Sequence, residues 1–415
     1  MVVTRQFVLI DHSIVDSSGH YLEYARRVLR AAKREGFKTV LATNKRAQNL
    51  ECPEADLILG AFSRSFWENQ AQAKLHTITS FVRKQSALAG DLRFSRQYAK
   101  ELGLLVAQTS ITERDIVFVP TLGGTELVGV SLYSGLKAAK DLSWHLLFRR
   151  DVPPPSSWLN ARGYLAQAQA RASFFEASAR FKKGSRHFYT DTEELTTRYE
   201  KLGVGKFKTL PVPIDDESGF KKVWYVGPLY VSYLGDMREE KGIHLLPKLI
   251  ASVRKNGFSE EQVRFRIQGN FPASGATRVA RRAKTILNNK KLTGVDVIEG
   301  PFDSNTYREL ICNSDIVLLP YSAKCYRARS SGIFSEALAA GVPTIFPKAS
   351  WMEKNAIGFQ EVGYNSTEEL AASLIKLVKN YLEYQRASID YCKQWREKHS
   401  AQRLIHLLLE DGLPQ

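Results

Sequence analysis

The stretch Tyr321 to Phe346, YSAKCYRARSSGIFSEALAAGVPTIF, decides how the rest of the chain is read. Just before it, Ile316 to Pro320 (IVLLP) is a short continuous apolar run closed by proline, the pattern of a strand covered on both faces. Arg327, Arg329, Ser330, Ser331 and Gly332 then lead into Ile333, Phe334, Ala337, Leu338 and Ala340, whose spacing predicts one apolar helical stripe. Gly341 and Pro343 stop that helix, and Val342 to Phe346 opens a second buried strand. A loop of small residues feeding a helix N-terminus leaves backbone N–H groups unpaired, under the partial positive charge of the helix dipole. The arginines just upstream make a phosphate the natural anion for that position. Glu336, one turn into the helix, is placed to accept hydrogen bonds from the sugar hydroxyls of a nucleotide.

Working outward, apolar runs alternate with helical patterns on both sides. Gln6 to Asp11 (QFVLID) predicts a strand, the polar loop to Gly19-His20 follows, and Tyr21, Ala25, Val28, Leu29 and Ala32 keep helical spacing until Gly36. Thr39 to Thr43 is the next strand, which makes a parallel βαβ unit. Phe66 to Ser110 reads as mostly helical, Asp115 to Val119 as a strand before the glycine-bearing loop PTLGGTELVG, and Trp144 to Phe148 as a strand running into Arg149, Arg150 and Asp151. A long helix over Ser156 to Lys182, a short strand at His187 to Tyr189 and an acid-capped helix over Thr190 to Gly203 follow, then the extended segment TLPVPIDD. The alternation resumes with Val231 to Leu234, the loop and helix of GDMREEKGIHLLPKLI, and Val263 to Ile267 before Gln268-Gly269-Asn270. A basic helix over Arg278 to Lys291, a strand at Val295 to Glu299, an amphipathic helix over Thr367 to Val378 and a mostly helical end from Tyr381 to Glu410 complete it.

The chain has 415 residues, more than one core comfortably holds, so two domains are expected. Its 44% hydrophobic and 25% charged content is that of a globular protein, and no apolar run reaches membrane-spanning length. Cys52, Cys312, Cys325 and Cys392 are scattered without metal-like pairing, which argues for a reducing compartment and against a zinc site. The formal charge is +16, and +10 of it falls on residues 1–215. No nucleic-acid module accompanies that excess, which leaves an anionic membrane surface or an acidic acceptor as its partner, or simply a basic solvated surface.

The opening stretch resembles the donor-site signature of the retaining GT-B glycosyltransferases called family four or group one: Glu, seven residues, Glu, then Ala, Gly and Pro. Glu336, Ala337, Gly341 and Pro343 match it, and Ala328 stands where the first glutamate would be. Gly235, Lys241 and Gly242 resemble the family's second conserved loop, with Asp236 in place of its usual arginine and Arg238 two residues later. The resemblance implies an α/β GT-B fold, two Rossmann-like domains whose parallel sheets face each other across a cleft. It divides the chain into residues 1–215 on the acceptor side, 216–385 on the donor side, and a C-terminal helix, 386–415, returning to the first domain.

It also implies roles. Arg238, Lys241, Gly269, Arg329, Ser330, Ser331, Gly332 and Glu336 would bind the donor, with Lys241 on the diphosphate and Glu336 on the ribose. In the loop SSGHY, Gly19 would allow close backbone approach, and His20, Arg149, Arg150 and Asp151 are the candidates for catalytic or acceptor contacts. No nucleophile is nominated. The implied reaction transfers a sugar from a nucleotide diphosphate-sugar, UDP- or GDP-linked, to a glycan or lipid-linked acceptor, with retention. Neither a cofactor nor a metal is expected, in keeping with the lack of an Asp-x-Asp motif. The expected place is the cytoplasm, with peripheral attachment at the inner membrane face as an option, and no nucleic-acid partner. Three alternatives stay open: a non-catalytic nucleotide-sugar sensor or scaffold, which Ala328 favours; a nucleotide-sugar epimerase, for which no acid/base carboxylates stand out; and a basic membrane-surface adaptor, against which Glu336 and Lys241 speak.

Overall fold

The computed structural model describes residues 5–17, 20–66, 68, 81–136, 141–152, 161–181, 186–214, 227–272, 275–289 and 292–412. It divides into two compact units, residues 1–213 with 401–415, and residues 214–400.

In the first unit the elements run β1 (Gln6–Ile10), α1 (His20–Arg34), β2 (Lys38–Asn44), β3 (Leu57–Phe62), α2 (Phe81–Thr109), β4 (Ile116–Val119), α3 (Gly124–Ser134), β5 (Ser143–Phe148), α4 (Ala161–Ser178), β6 (Arg186–Thr190), α5 (Glu193–Lys201) and β7 (Phe207–Thr209). The strands form one parallel sheet in the order β3-β2-β1-β4-β5-β6-β7, so the direction of chain progress reverses between β1 and β4. In register, Val8 of β1 lies between Val40 of β2 and Val117 of β4. All five β1 residues except Gln6 are buried, as a strand covered by helices on both faces requires. Helix α1 carries Glu23 in its first turn and Lys33 and Arg34 in its last, matching the dipole, and ends at Gly36, whose φ of +82° is a glycine conformation.

The second unit contains β8 (Leu229–Tyr233), two single 3-10 turns (Glu239–Lys241 and Ile243–Leu245), α6 (Leu246–Lys255), β9 (Val263–Gln268), α7 (Arg278–Leu287), β10 (Val295–Ile298), α8 (Ser304–Cys312), β11 (Ile316–Leu318), α9 (Ala323–Tyr326), α10 (Gly332–Ala339), β12 (Thr344–Ile345), α11 (Trp351–Asn355), α12 (Thr367–Lys379) and α13 (Tyr381–Lys398). Its parallel sheet has the order β10-β9-β8-β11-β12, reversing between β8 and β11. Helix α10 is buried along most of its length and ends at Gly341 (φ +67°), where Val342 N–H reaches back to the Ala337 carbonyl at 2.9 Å. Fully buried Trp395 of α13 packs edge-on against Phe334 and donates its indole N–H to the Ser335 carbonyl at 3.0 Å.

The expected continuous C-terminal helix is broken. Helix α13 stays in the second unit because Trp395 and Arg396, which donates to the Ala339 carbonyl, fasten it to α10. The break falls at His399, whose carbonyl accepts from Ile214 N–H, and α14 (Ala401–Gly412) belongs to the first unit through Leu404, Ile405 and Leu408. The second unit therefore ends at Ser400 rather than near residue 385. β3, β7 and α8 were not expected from the sequence, and the strand expected over Val342 to Phe346 pairs only through Thr344 and Ile345. No described helix is long and apolar enough to cross a membrane.

Candidate donor site

Open parallel sheets bind ligands beyond the carboxyl ends of their strands, where the strand order reverses. In the second unit that point lies between β8 and β11, and the two loops singled out in the sequence leave those two strands. After β8 the chain turns at Gly235 (φ +95°), where a Cβ would meet Lys241 Nζ at 2.5 Å and Ile333 Cδ1 at 2.9 Å. Gly242 (φ +73°) lies so close to the end of β11 that a Cβ would collide with the Pro320 carbonyl. Both glycines are therefore required by close approach as well as by conformation. Together they seat Lys241 between the β8 loop and the start of α10.

Lys241 is half-buried, with Nζ 5.9 Å from the centre of the Tyr321 ring. Its Nζ has no hydrogen-bond or ion-pair partner among the described residues. Burial pulls its pKa from 10.5 to about 8, an effect that Asp236 only partly opposes. Arg329, also half-buried, lies 5.1 Å over the Tyr326 ring and likewise has no carboxylate contact among the described residues. Two cations thus line the same loops without a salt-bridge contact among the described residues, Lys241 feeling Asp236 and Glu240 only at a distance.

The other sequence candidates fall into two groups. Ser331 caps α10, its hydroxyl accepting from Phe334 N–H at 3.3 Å, while Gly332 is exposed with open space where a Cβ would stand. Glu336 is half-buried one turn further in, and Ser330 is half-buried before the cap. Ala328, in the place of the motif's first glutamate, is completely buried. Arg238 and Gly269 are committed internally. Arg238 Nη2 pairs with Asp236 Oδ2 at 2.7 Å, and Nη1 lies 3.9 Å from Glu240. Gly269 donates its N–H to the Ile298 carbonyl and accepts from Lys284 Nζ at 2.7 Å. A Cβ on Gly269 would strike Val297 Cγ1 at 2.8 Å, so the glycine serves the β9–β10 contact.

A relay that the sequence did not announce holds the β8 loop in place. Gln268 accepts from Gly235 N–H and donates to Asn270, whose Nδ2 donates to Asp236 Oδ1 at 2.7 Å. Its only sequence signal is the polar triplet at the end of β9, Gln268-Gly269-Asn270, facing Asp236 across the sheet edge.

In the first unit, Gly19 and the side chain of His20 lie outside the described residues. Arg149, at the end of β5, donates its Nε to Asp191 at 3.2 Å and lies 4.9 Å over the Tyr24 ring. Arg150 lies 4.4 Å over Phe66, and Asp151 is ion-paired with Arg198. A second cluster, missed in the sequence, sits where that sheet reverses. Fully buried His12, just beyond β1, lies 3.5 Å from Glu126 Oε1 among the rings of Phe62, Phe66, Phe94 and Tyr98. Burial works against the Glu126 charge, but His12 and the local hydrogen bonds hold its pKa below the ordinary value. Asp11 accepts from the Thr121 hydroxyl and Ser13 N–H, and its burial raises its pKa. The fragments Asp11-His12 and Gly123-x-x-Glu126 were visible only as a strand end and a helix cap. Among the described residues no group of three or more His, Cys, Asp or Glu is placed to hold a metal.

Two parallel α/β sheets, each with helices between its strands, make up the architecture of the GT-B class. Residues 228–380 match the model of the family "Glycosyl transferases group 1". Solved structures are similar over nearly the whole length. Sucrose-phosphate synthase from Thermosynechococcus elongatus is 13% identical, with 98% of each chain covered and a TM-score of 0.69. HepE from Anabaena is 12% identical over 98% of each chain, with a TM-score of 0.62. TarM from S. aureus, solved as a mutant, is 9% identical, with 99% of this chain and 100% of that one covered and a TM-score of 0.67. No curated protein sequence matches the chain.

Proposed function

We propose that the chain transfers a sugar, with retention and without a metal, from a nucleotide diphosphate-sugar to a glycan or lipid-linked acceptor. The observation that carries this reading is Lys241: a desolvated ammonium at the reversal point of the sheet, with no described partner. Such a group is poised for an anion, and a departing nucleoside diphosphate is the anion this chemistry generates. Lys241 and Arg329 would neutralise its phosphates, the N-terminus of α10 at Gly332 would add N–H donors, and Glu336 would hold the ribose. HepE was solved with UDP-glucose, and the TarM mutant with UDP, fondaparinux and α-GlcNAc-glycerol, which favours a UDP-linked over a GDP-linked donor here and a hydroxyl-bearing acceptor. His20, Arg149, Arg150 and Asp151 are proposed on the acceptor side, with Gly19 giving backbone access. Peripheral association with an anionic cytoplasmic membrane face belongs to the same proposal and rests on the net charge of +16.

One observation favours a second reading. Ala328 is sealed in the core at 0% exposure, so nothing on that residue reaches a donor sugar, as would suit a protein that binds a nucleotide sugar without turning it over. Screening UDP-, GDP-, ADP- and TDP-sugars by thermal shift, with nucleoside diphosphate release followed with and without acceptor extracts, separates the two. Stabilisation with acceptor-dependent release is the expected result. Stabilisation without release under any acceptor supports the sensor, and no stabilisation by any donor overturns both.

A further inference from the structure

A cavity of about 250 Å³ opens in the first unit at the N-terminal ends of β6 and β7, lined by Arg186, His187, Phe188, Gly205, Lys206, Lys208 and Asp411. Because the sheet is parallel, this edge is opposite to the one that carries Asp11, Thr121 and Arg149. The cavity therefore takes no part in the chemistry proposed above.

Its charges are unevenly matched. Asp411 is already engaged, ion-paired with Lys208 and accepting from the Tyr189 hydroxyl at 2.8 Å. Tyr189 in turn contacts His145 at 2.9 Å, and the His145 ring stacks on that of His187 at 4.8 Å. This leaves Arg186 and Lys206, neither of which has a carboxylate partner among the described residues. The Arg186 guanidinium rests against the rings of Phe181 (5.4 Å) and Phe188 (5.7 Å), and burial lowers its pKa. A cation held against aromatic faces and partly stripped of water is an unsatisfied charge. Gly205, at φ +152°, leaves the Phe188 ring uncovered: a Cβ there would stand 3.3 Å from it.

We propose that this cavity is a second anion site, built for a phosphoryl dianion, with Arg186 and Lys206 as its binding residues. Two uncompensated positive charges match a dianion rather than a carboxylate, and a guanidinium fork beside an ammonium is the donor set that a phosphate monoester takes. The volume exceeds several water volumes of about 30 Å³, which leaves room for a phosphoryl group and the first atoms attached to it. The ester is either a soluble phosphate or a phosphomonoester lipid headgroup.

His187 lines the cavity and reports on it locally, so binding here is separable from phosphate binding at Lys241. The experiment follows the His187 ring resonances of the whole chain by NMR, assigned with His187→Gln, during titration with inorganic phosphate. In parallel, flotation is measured with vesicles containing phosphatidic acid and with vesicles matched in charge by phosphatidylserine. A saturable His187 shift, at least about tenfold weaker in Arg186→Ala and in Lys206→Ala, supports the site with a soluble source. Preference for phosphatidic acid that both substitutions remove supports it with a lipid source. Lys206 is exposed, so Lys206→Ala keeps the test valid should Arg186→Ala fail to fold. A His187 shift that does not saturate or is indifferent to both substitutions, together with equal flotation on the two vesicles, overturns the proposal.

Discussion

Replacing Lys241 with methionine should stabilise the second unit while destroying its affinity for a nucleoside diphosphate. Methionine keeps much of the side chain's length and apolar body and removes the charge. In the native protein burial, only partly offset by Asp236, brings the Lys241 pKa from 10.5 to about 8. The folded value lies below the unfolded one, so folding disfavours the charged form. The penalty is complete below about pH 8, shrinks as the pH rises towards 10.5 and is absent above it. At about 1.4 kcal/mol per tenfold in acidity, the ceiling is about 3 kcal/mol. Lys241 keeps some contact with water, which reduces the expected gain to about 1–2 kcal/mol at pH 7. Paired urea titrations of the two proteins at pH 7 and pH 10 isolate this group, because other tyrosines and lysines cancel in the difference. The variant should lead at pH 7, and at pH 10 its lead should shrink to roughly a quarter of that. Adding UDP at 100 times its dissociation constant should reverse the order at pH 7, since the native protein gains about 2.7 kcal/mol and the variant almost nothing. A variant no more stable than the native protein at pH 7, or a gap of equal size at both pH values, would refute the reasoning.

Three further outcomes are expected. Glu336→Ala should weaken donor binding more than tenfold, about 1.4 kcal/mol or more for lost ribose hydrogen bonds, and an unchanged dissociation constant in calorimetry sinks that role. Gly242→Ala forces a left-handed residue, at about 1–2 kcal/mol, and a clash with the Pro320 carbonyl; a loss of about 3 kcal/mol in chemical denaturation is expected, and an unaltered midpoint contradicts the close approach. His12→Ala leaves Glu126 charged in an aromatic box and should cost about 3–5 kcal/mol, while Glu126→Gln, which removes the charge, should cost less; equal losses would show that the contact with the Glu126 carboxylate is not what matters.

The sequence made β1, β4 and β11 legible because each is a short, nearly continuous apolar run buried on both faces, and β9 because VRFRI alternates. The edges were not. β3 (LILGAF) is only half-buried over most of its length and β7 is three residues long, so neither carries a strong pattern. The loop after β8 was readable in residue type but not in pairing. Arg238 looked available as a donor ligand, yet the single turn Glu239–Lys241 brings Glu240 near the same guanidinium that Asp236 holds. Gly269 looked like a point of ligand approach, and the structure uses it to let β10 come close. The pair His12 and Glu126 had no local signal, because the neighbouring positions of β1 and β4 create it across more than a hundred residues of chain.

Charge shows most clearly why whole-chain totals mislead. The excess of +10 on residues 1–215 left an anionic membrane surface, an acidic acceptor or simply a basic solvated surface open. At the strand ends of the first unit, however, Arg149 faces Asp191, Arg198 faces Asp151, and His12 faces Glu126. The surplus lies elsewhere, including the cavity at the opposite sheet edge, where Arg186 and Lys206 have no described carboxylate. The second unit carries the smaller excess, yet it holds Lys241 and Arg329 at its reversal point without a salt-bridge contact among the described residues. An anion gains most where cations are desolvated and unpaired, whatever the total charge of the domain around them. On the proposed reading, this puts the nucleoside diphosphate on the second unit, at Lys241 and Arg329, despite that unit's smaller net charge.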